Sequence, residues 1–584
     1  MRHRLAIFSL LLSLSLVPLS ARATASLLSE QEICPGRLVL RNSPKIKFTE
    51  IEKSFLCGDP QIDAWKYIPP AQVKFQLETF LQDRGYFQPR FTEEGDELVA
   101  ELGEALHVTR IEAVGAPPSL DLRKRRGVVG RLLNPRLLDR EEKWVEAQLK
   151  AQGYACPVVK SRANVLTGEV KIDIDPGRKQ NVTSIDVEPV RRMNSEVLRR
   201  FDAFEVGKPF NNDFLTLTSK RVEKDGILQS THFIPECRED GVALTQKTIA
   251  GKPRLISVGF GGDTEQYAIV KTSWRHTRLG RNASLFDISL FGSYKRQELD
   301  ISNSWYLSPT ARWHLMPVLT FSHDREAQYH FVSANAKFAF ANSWDNQNLG
   351  LQYSFGPNLN YVDTFRGAQP GVTRLLSLQY DFHLASHYFE FYSNSPRTGF
   401  RLGLVGDFTN KNLLSEITAE RFRLDGEYLY NFRGYDPPLL IFGVRGGFGG
   451  TFLKKDPQSL AALPPNYRFY LGGSTDLRGF GRQELSGPGL DGALSMAFTS
   501  FEIRLANVLP LWMQPIAFMD VGILGNQAFS FQLPVYYSPG FGVRCESPIG
   551  VFRATLARGF KSGGNDGVTD NTHLQFFISF GEEF

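Results

Sequence analysis

Arg478 stands in the run Leu477-Arg478-Gly479-Phe480-Gly481, and the two strand-like segments that follow carry carboxylates at alternate positions. In the first, Phe498, Ser500, Glu502 and Arg504 fall on one parity, opposite Ala497, Phe501, Ile503 and Leu505. In the second, Phe518, Asp520 and Gly522 share a parity, opposite Ala517, Met519, Val521 and Ile523. Successive strand side chains point to opposite faces, so Glu502, Arg504 and Asp520 are expected on one common surface. A loop folding back over that surface would bring Arg478 to the carboxylates. A guanidinium with bidentate carboxylate partners is an oriented latch. Other arrangements are poorer in chemistry. His383 and His387 have HxxxH spacing, but four residues apart in a strand they share a face only loosely, with no acidic third ligand. Gly446-Gly447-Phe448-Gly449-Gly450 lacks the Gly-Lys-Ser/Thr of a phosphate loop and reads as a flexible or close-packed strand. No Ser-His-Asp or Cys-His arrangement stands out. The expectation is a protein that is not an enzyme and needs neither metal nor cofactor.

The elements that would position the latch are strands. The chain ends on LQFFISFGEEF, with Leu574, Phe576, Ile578 and Phe580 on one parity and Gln575, Ser579, Gly581 and Glu583 on the other. Leu349, Leu351, Tyr353 and Phe355 alternate with Gly350, Gln352, Ser354 and Gly356, and the same grammar recurs from about Leu255 onward. A sandwich would alternate too. The 45 Phe and 19 Tyr, and the terminal aromatic strand, favour a membrane barrel with aromatic girdles. No apolar run of ~20 residues follows residue 25, so helical spans are excluded, whereas a barrel needs only alternate apolar residues. An open sheet edge in hydrocarbon leaves unpaired amides, so the sheet must close. At ~9–11 residues per strand plus a connection, residues 255–584 hold about 16 antiparallel strands.

Arg2-His3-Arg4 followed by the apolar stretch Leu5–Leu19 and small residues near Ala25 reads as a secretory leader over residues 1–25. A net charge of +5 is small for 584 residues and implies no nucleic-acid partner. None of the five cysteines forms a CxxC pair. An exported chain can oxidise Cys34 with Cys57, and the spacing leaves that pairing open; Cys156, Cys237 and Cys545 read as isolated thiols.

Between leader and barrel one grammar occurs three times. A helical stretch (71–84, 137–152, 214–225) runs into Gly85-Tyr86, Gly153-Tyr154 or Gly226-Ile227, and two short strand-like runs follow. The glycines recur about every 70 residues, as in an array of domains. Leu137, Leu138, Trp144, Val145 and Leu149 give the second helix an apolar stripe, and Gly153 is a natural C-cap. Val108–Val114 and Val182–Val187 open the second and third units. This β-α-α-β-β order with its Gly-Tyr turn resembles the polypeptide-transport-associated (POTRA) domain. The expected domains are 26–105, 106–178 and 179–251, then a barrel over 252–584: α+β periplasmic repeats followed by an all-β barrel. Arg123–Arg126 reads as a solvated helix face.

With these pieces in place, the chain resembles the BamA/TamA superfamily of outer-membrane assembly barrels. Its Arg-Gly-Phe/Tyr loop motif appears as Arg478-Gly479-Phe480, its acidic strand partners as Glu502 and Phe518-x-Asp520-x-Gly522, and its Ser-Pro-x-Gly signature as Ser547-Pro548-Ile549-Gly550. The Asp usual after that signature is replaced by Ala554-Thr555. Three POTRA-like units are most similar to the translocation and assembly module branch (TamA). The resemblance implies an outer-membrane location with periplasmic N-terminal domains, unfolded outer-membrane protein clients including autotransporters, contact with the bilayer, and a TamB-like inner-membrane partner. Gly259 and Gly261 in a first strand beginning near Leu255, and Gly581–Phe584 in the last, suggest a weak seam that opens laterally. A secretion pore exporting a passenger through the lumen, or a passive porin, are the alternatives; porins lack tandem periplasmic domains.

Overall fold

The computed structural model describes residues 29–58, 68–191, 193–346, 348–368, 370–387, 389, 391, 398–453, 462–487, 492–510, 513–547, 550–562 and 571–581. The expected leader, Pro548-Ile549 of the signature and Phe584 of the expected seam lie outside the described residues.

The first domain contains β1 (Ser29–Cys34), β2 (Leu38–Ser43), α1 (Glu50–Cys57), α2 (Pro70–Gln82), β3 (Arg90–Glu94) and β4 (Glu97–Glu101), with sheet order β1-β2-β4-β3. Thr49 and Glu52 form a capping box that starts α1. Val73, Leu77 and Leu81 lie on one face of α2 and are buried with Leu38, Leu40, Leu98 and Ala100. The edge strand β1 is an addition to the expected order. Its sequence, SEQEIC, has too little apolar alternation to announce a strand.

The second domain contains β5 (Arg110–Val114), α3 (Pro135–Ala151), β6 (Val158–Ala163) and β7 (Glu169–Asp175), ordered β5-β7-β6. The Asn134 side chain accepts from the Leu137 N–H (2.8 Å) and Pro135 occupies the first turn of α3. The third contains β8 (Val182–Val187), α4 (Asn212–Lys224), β9 (Ser230–Arg238) and β10 (Gly241–Ile249), ordered β8-β10-β9. In every domain the last strand lies between its hairpin partner and a parallel strand, which is β2, β5 or β8. Gly85, Gly153 and Gly226 all have positive φ (80°, 99° and 68°), so the repeat recurs as glycine because the turn after each helix enters left-handed backbone.

Cys34 is bonded to Cys57, which settles the open pairing. Cys156 and Cys237 are also bonded, which corrects their reading as isolated thiols; Cys545 remains a thiol. The pair is 81 residues apart and joins the turn after α3 to β9, so only the fold brings it together.

The barrel strands are β11 (Arg254–Asp263), β12 (Tyr267–Leu279), β13 (Ser284–Gly292), β14 (Arg296–Ser304), β15 (His314–Arg325) and β16 (His330–Asp345). They continue as β17 (Leu349–Arg366), β18 (Gly371–Ser386), β19 (Gly399–Thr409), β20 (Ala419–Asn431) and β21 (Leu440–Leu453). The last are β22 (Ser495–Leu505), β23 (Met513–Gln527), β24 (Ser530–Ser547), β25 (Gly550–Ser562) and β26 (Asn571–Gly581). Consecutive strands pair in order and β26 meets β11, closing the barrel at sixteen. Phe338, Phe355, Leu378, Phe501, Ile503 and Phe541 are exposed outside, while Asn358, Ser377, Glu502, Asp520 and Arg544 are buried on the other parity. A continuous apolar belt around a closed cylinder with a polar interior is the pattern of a bilayer-spanning barrel.

Candidate functional site

The connection between β21 and β22 folds into the lumen. Phe469, Leu471, Leu477 and Phe480 form a buried cluster with Met496, Leu524 and Tyr536 of the wall. This packing delivers Arg478 to β22 and β23. Its Nε and Nη2 donate to the two oxygens of Asp520 (2.9 and 2.6 Å), and its own main-chain N–H donates to Asp520 Oδ2 (3.0 Å). Nη1 donates to Glu502 Oε2 (3.1 Å) and Nη2 to Ser500 Oγ (2.8 Å). The Arg478 and Glu502 side chains are 4% exposed and that of Asp520 0%, so solvent screens neither pair. The guanidinium carbon lies 3.3 Å from the Phe518 ring centre. Glu502 is held from its other side by Arg504 Nε (2.6 Å), whose Nη1 donates to the Phe391 carbonyl (2.6 Å). Strand alternation therefore brings Glu502, Ser500 and Asp520 to one inner surface, and the loop supplies the cation.

Gly479 and Phe480 sit beside this contact. A Cβ on Gly479 would lie 2.5 Å from the Gly559 backbone and 2.6 Å from Ser538 Oγ. Only two glycines let loop and β25 approach so closely. The Phe480 ring packs edge-on against Tyr536 at 5.5 Å. Gly559, Ser538 and Tyr536 are partners that sequence reasoning missed. An isolated glycine inside a strand, as in Arg558-Gly559-Phe560, was the available signal for Gly559. The glycine run of β21 is close-packed: a Cβ on Gly449 would lie 2.7 Å from the Phe469 ring.

The loop is also held elsewhere. Ser474 donates from its main chain (3.2 Å) and hydroxyl (2.5 Å) to Glu265, in the turn between β11 and β12. Arg482 Nε donates to Glu326 Oε1 (2.7 Å), and the rings of Tyr470 and Tyr329 are 5.0 Å apart.

The seam is short. Among the described residues β11 pairs with β26 only through Gly262↔Phe580 and Asp263↔Ser579. By contrast β11 makes ten pairs with β12, and β25 ten with β26. Two further hydrogen bonds extend the contact, Thr264 N–H to the Ile578 carbonyl (3.0 Å) and Ile578 N–H to the Thr264 hydroxyl (3.3 Å). Of the expected seam residues, Leu255, Gly259 and Gly261 have no β26 partner among the described residues, and Gly581 pairs with Val551 of β25. The register places the meeting point at the end of β11 away from Leu255.

Third-domain side chains clasp the barrel turns at the end where β11 begins. Arg200 Nη2 donates to the carbonyls of Asn282 (2.7 Å) and Pro309 (3.0 Å), with its guanidinium over the Tyr306 ring. Asp345 accepts from Arg221 and Arg312 (2.6 Å each), and Arg312 also donates to the Asp202 carbonyl (2.5 Å). Burial pushes the Asp202 carboxyl up to about 7, against the opposing pull of Arg199 and Arg312. The basic run 123–126 is likewise not a solvated helix face throughout. Arg123 is exposed, but the Arg126 N–H donates to the Asp436 carbonyl (2.8 Å), and Arg125 and Arg126 face Asp436 and Tyr435. Among the described residues no group of three or more His, Cys, Asp or Glu side chains is arranged to hold a metal ion.

The fold has solved counterparts. BamA from Haemophilus ducreyi lacking POTRA domains 1–3 aligns at TM-score 0.50 and 14% identity, over 81% of this chain and 100% of that one. CdiB from Escherichia coli aligns at 0.47 and 12% identity (87% and 95% covered), and CdiB from Acinetobacter baumannii at 0.46 and 13% (82% and 90%). At these identities the BamA likeness concerns fold alone. Residues 319–584, from β15 to the end of the chain, match the Omp85 superfamily domain.

Proposed function

We propose that this chain is an outer-membrane factor that inserts and assembles β-barrel or autotransporter clients through a lateral gate between β11 and β26, with its three N-terminal domains in the periplasm. The observation that carries this reading is the seam, which among the described residues closes through two residue pairs where its flanking strand pairs have ten each. Among the described residues the rest of β11 has no β26 partner, and Ile256, Val258 and Phe260 along it are exposed. Unpaired amides in hydrocarbon cost several kcal/mol each, so an incoming client strand that pairs with them is favoured. The work is templating and release and involves no covalent reaction, so we propose no enzymatic role. The Arg478 latch holds the lumenal loop and sets barrel shape. The Omp85 domain match and the BamA-like fold support the assembly reading, and three POTRA-like units support a place in the TamA branch with a TamB-like inner-membrane partner.

A reversible crosslink tests the gate. In a Cys545→Ser background, Asp263→Cys with Ser579→Cys places two thiols on directly opposed residues. Client insertion into vesicles is expected to stop in the oxidised protein and to return on reduction, while the background protein is run with and without reductant as control. Undiminished insertion through the oxidised seam would overturn the reading; a lumenal exporter would be unaffected by the lock.

A further inference from the structure

Between the inward loop and the wall formed by β14–β16 and β20 lies a cavity of about 370 Å³. Five arginines line it: Arg296, Arg421 and Arg423 from the wall, Arg468 and Arg482 from the loop. Asp324 is the one carboxylate among its lining residues. Three of the guanidiniums are engaged by neighbouring acids, Arg296 by Glu298, Arg423 by Asp425 (2.8 Å) and Arg482 by Glu326 (2.7 Å). Arg468 donates to the carbonyls of Leu463 (3.2 Å) and Gly492 (3.4 Å).

Arg421 differs from these. Its guanidinium lies 4.9 Å from the Phe469 ring centre, its Nε is buried without a hydrogen-bond acceptor, and among the described residues it forms no ion pair, Asp407 and Asp425 acting on it only at longer range. The opposed residue on β19, Asp407, turns instead to the Ser377 hydroxyl (2.7 Å). Arg421 and Asn466 also line a second cavity of about 460 Å³, walled by Asn335, Asn358 and Asn360 and by the charged side chains of Lys337, Asp381 and Asp407. Like charges therefore face one another across the loop–wall boundary, where they oppose docking, beside a polar space large enough for a hydrated ion.

We propose that this cavity is an oxyanion site of the phosphate class, in which Arg421 is the principal ligand and the anion staples the lumenal loop to β14–β16 and β20. Planar guanidiniums from two sides match the tetrahedral oxyanion, and the Tyr329, Phe331, Phe469 and Tyr470 rings limit its access to water. The site lies apart from the Arg478 latch and does not rest on the gate reading.

The test uses the full chain in detergent micelles, titrated with inorganic phosphate in a zwitterionic buffer against sodium chloride of equal ionic strength. Calorimetry should give saturable binding, and the melting temperature should rise with phosphate. Arg421→Gln should weaken the affinity roughly tenfold or more, as for loss of a charge-assisted pair. Arg401→Gln, an exposed position outside the cavity, should leave it unchanged. Should the Gln variant fail to yield a heat-modifiable barrel, Arg421→Lys keeps the charge and removes the planar fork, and weaker binding is again expected. Absence of saturable binding to the unaltered protein, or equal affinity in the folded Arg421 variant, would overturn the site.

Discussion

Arg478→Ala is the sharpest perturbation of the latch, and its size can be worked from the contacts. Truncation removes the paired bonds to Asp520 and the bonds to Glu502 and Ser500. Glu502 keeps Arg504, but Asp520 is left fully buried with the main-chain N–H of residue 478 as its remaining contact from the loop. Leaving a buried charge without its partner costs about 3–5 kcal/mol. At 1.36 kcal/mol per factor of ten, the undocked fraction of the loop rises about two to four orders of magnitude. Phe480 and its neighbours act against undocking, a buried Phe contributing about 1.5–3 kcal/mol. The expected phenotype is therefore a loop that undocks part of the time within an otherwise assembled barrel. Limited proteolysis between residues 462 and 487 should accelerate, the urea midpoint should fall, and heat-modifiable mobility should weaken. The cycle with Asp520→Asn separates the latch from general damage. Asn removes the stranded charge, so the double variant should be less destabilised than the sum of the singles by more than about 1.5 kcal/mol. Additive singles, or an Arg478→Ala protein as resistant to protease and urea as the parent, would refute the latch.

Other expectations follow from the same contacts. Gly479→Val should hinder loop docking by at least about 1–3 kcal/mol, seen as a lowered urea midpoint, because even a Cβ meets the Gly559 backbone at 2.5 Å. Asp202 has a folded value of about 7 above an unfolded value near 3.8, so between those limits the folded chain binds the extra proton and stability falls as pH rises, reaching its full loss above about pH 7. Asp202→Asn should thus raise the melting temperature at pH 8 by up to a few degrees and leave it nearly unchanged at pH 4. Replacing Cys156 and Cys237 by Ser releases a closure of 81 residues, worth about 4–5 kcal/mol on the chain-entropy account. The N-terminal domains should then melt earlier by calorimetry while the barrel retains its mobility on gels.

What was legible in the sequence had a local period. Glu502, Ser500 and Asp520 could be placed on one inner surface because strand alternation admits two faces and the apolar residues claimed the other. The three helices with their Gly turns were legible because left-handed backbone selects glycine. What failed was non-local. The Cys156–Cys237 bond needs α3 and β9 brought together, and no spacing rule spans that distance. The engagement of Arg125 and Arg126 depends on the turn at Tyr435-Asp436, far along the chain. Strand composition suggested a weak seam but not its register, because glycines indicate where pairing is weak and not which residues meet.

The loop and the seam are not independent pieces. The hairpin of β11 and β12 is held internally by ten pairs, but among the described residues it is joined to β26 by only two. Its tip is gripped from inside the lumen by Ser474 on Glu265, four residues before the arginine that anchors the same loop to β22 and β23. A displacement at the seam therefore separates β11 from β26 far more cheaply than β11 from β12, so the first two strands move together. Their motion strains the Glu265–Ser474 contact, while Arg478 anchors the loop to the opposite side of the seam. The latch and the first hairpin thus share one short segment, 474–478, through which a change in loop docking reaches the junction that a client strand would enter.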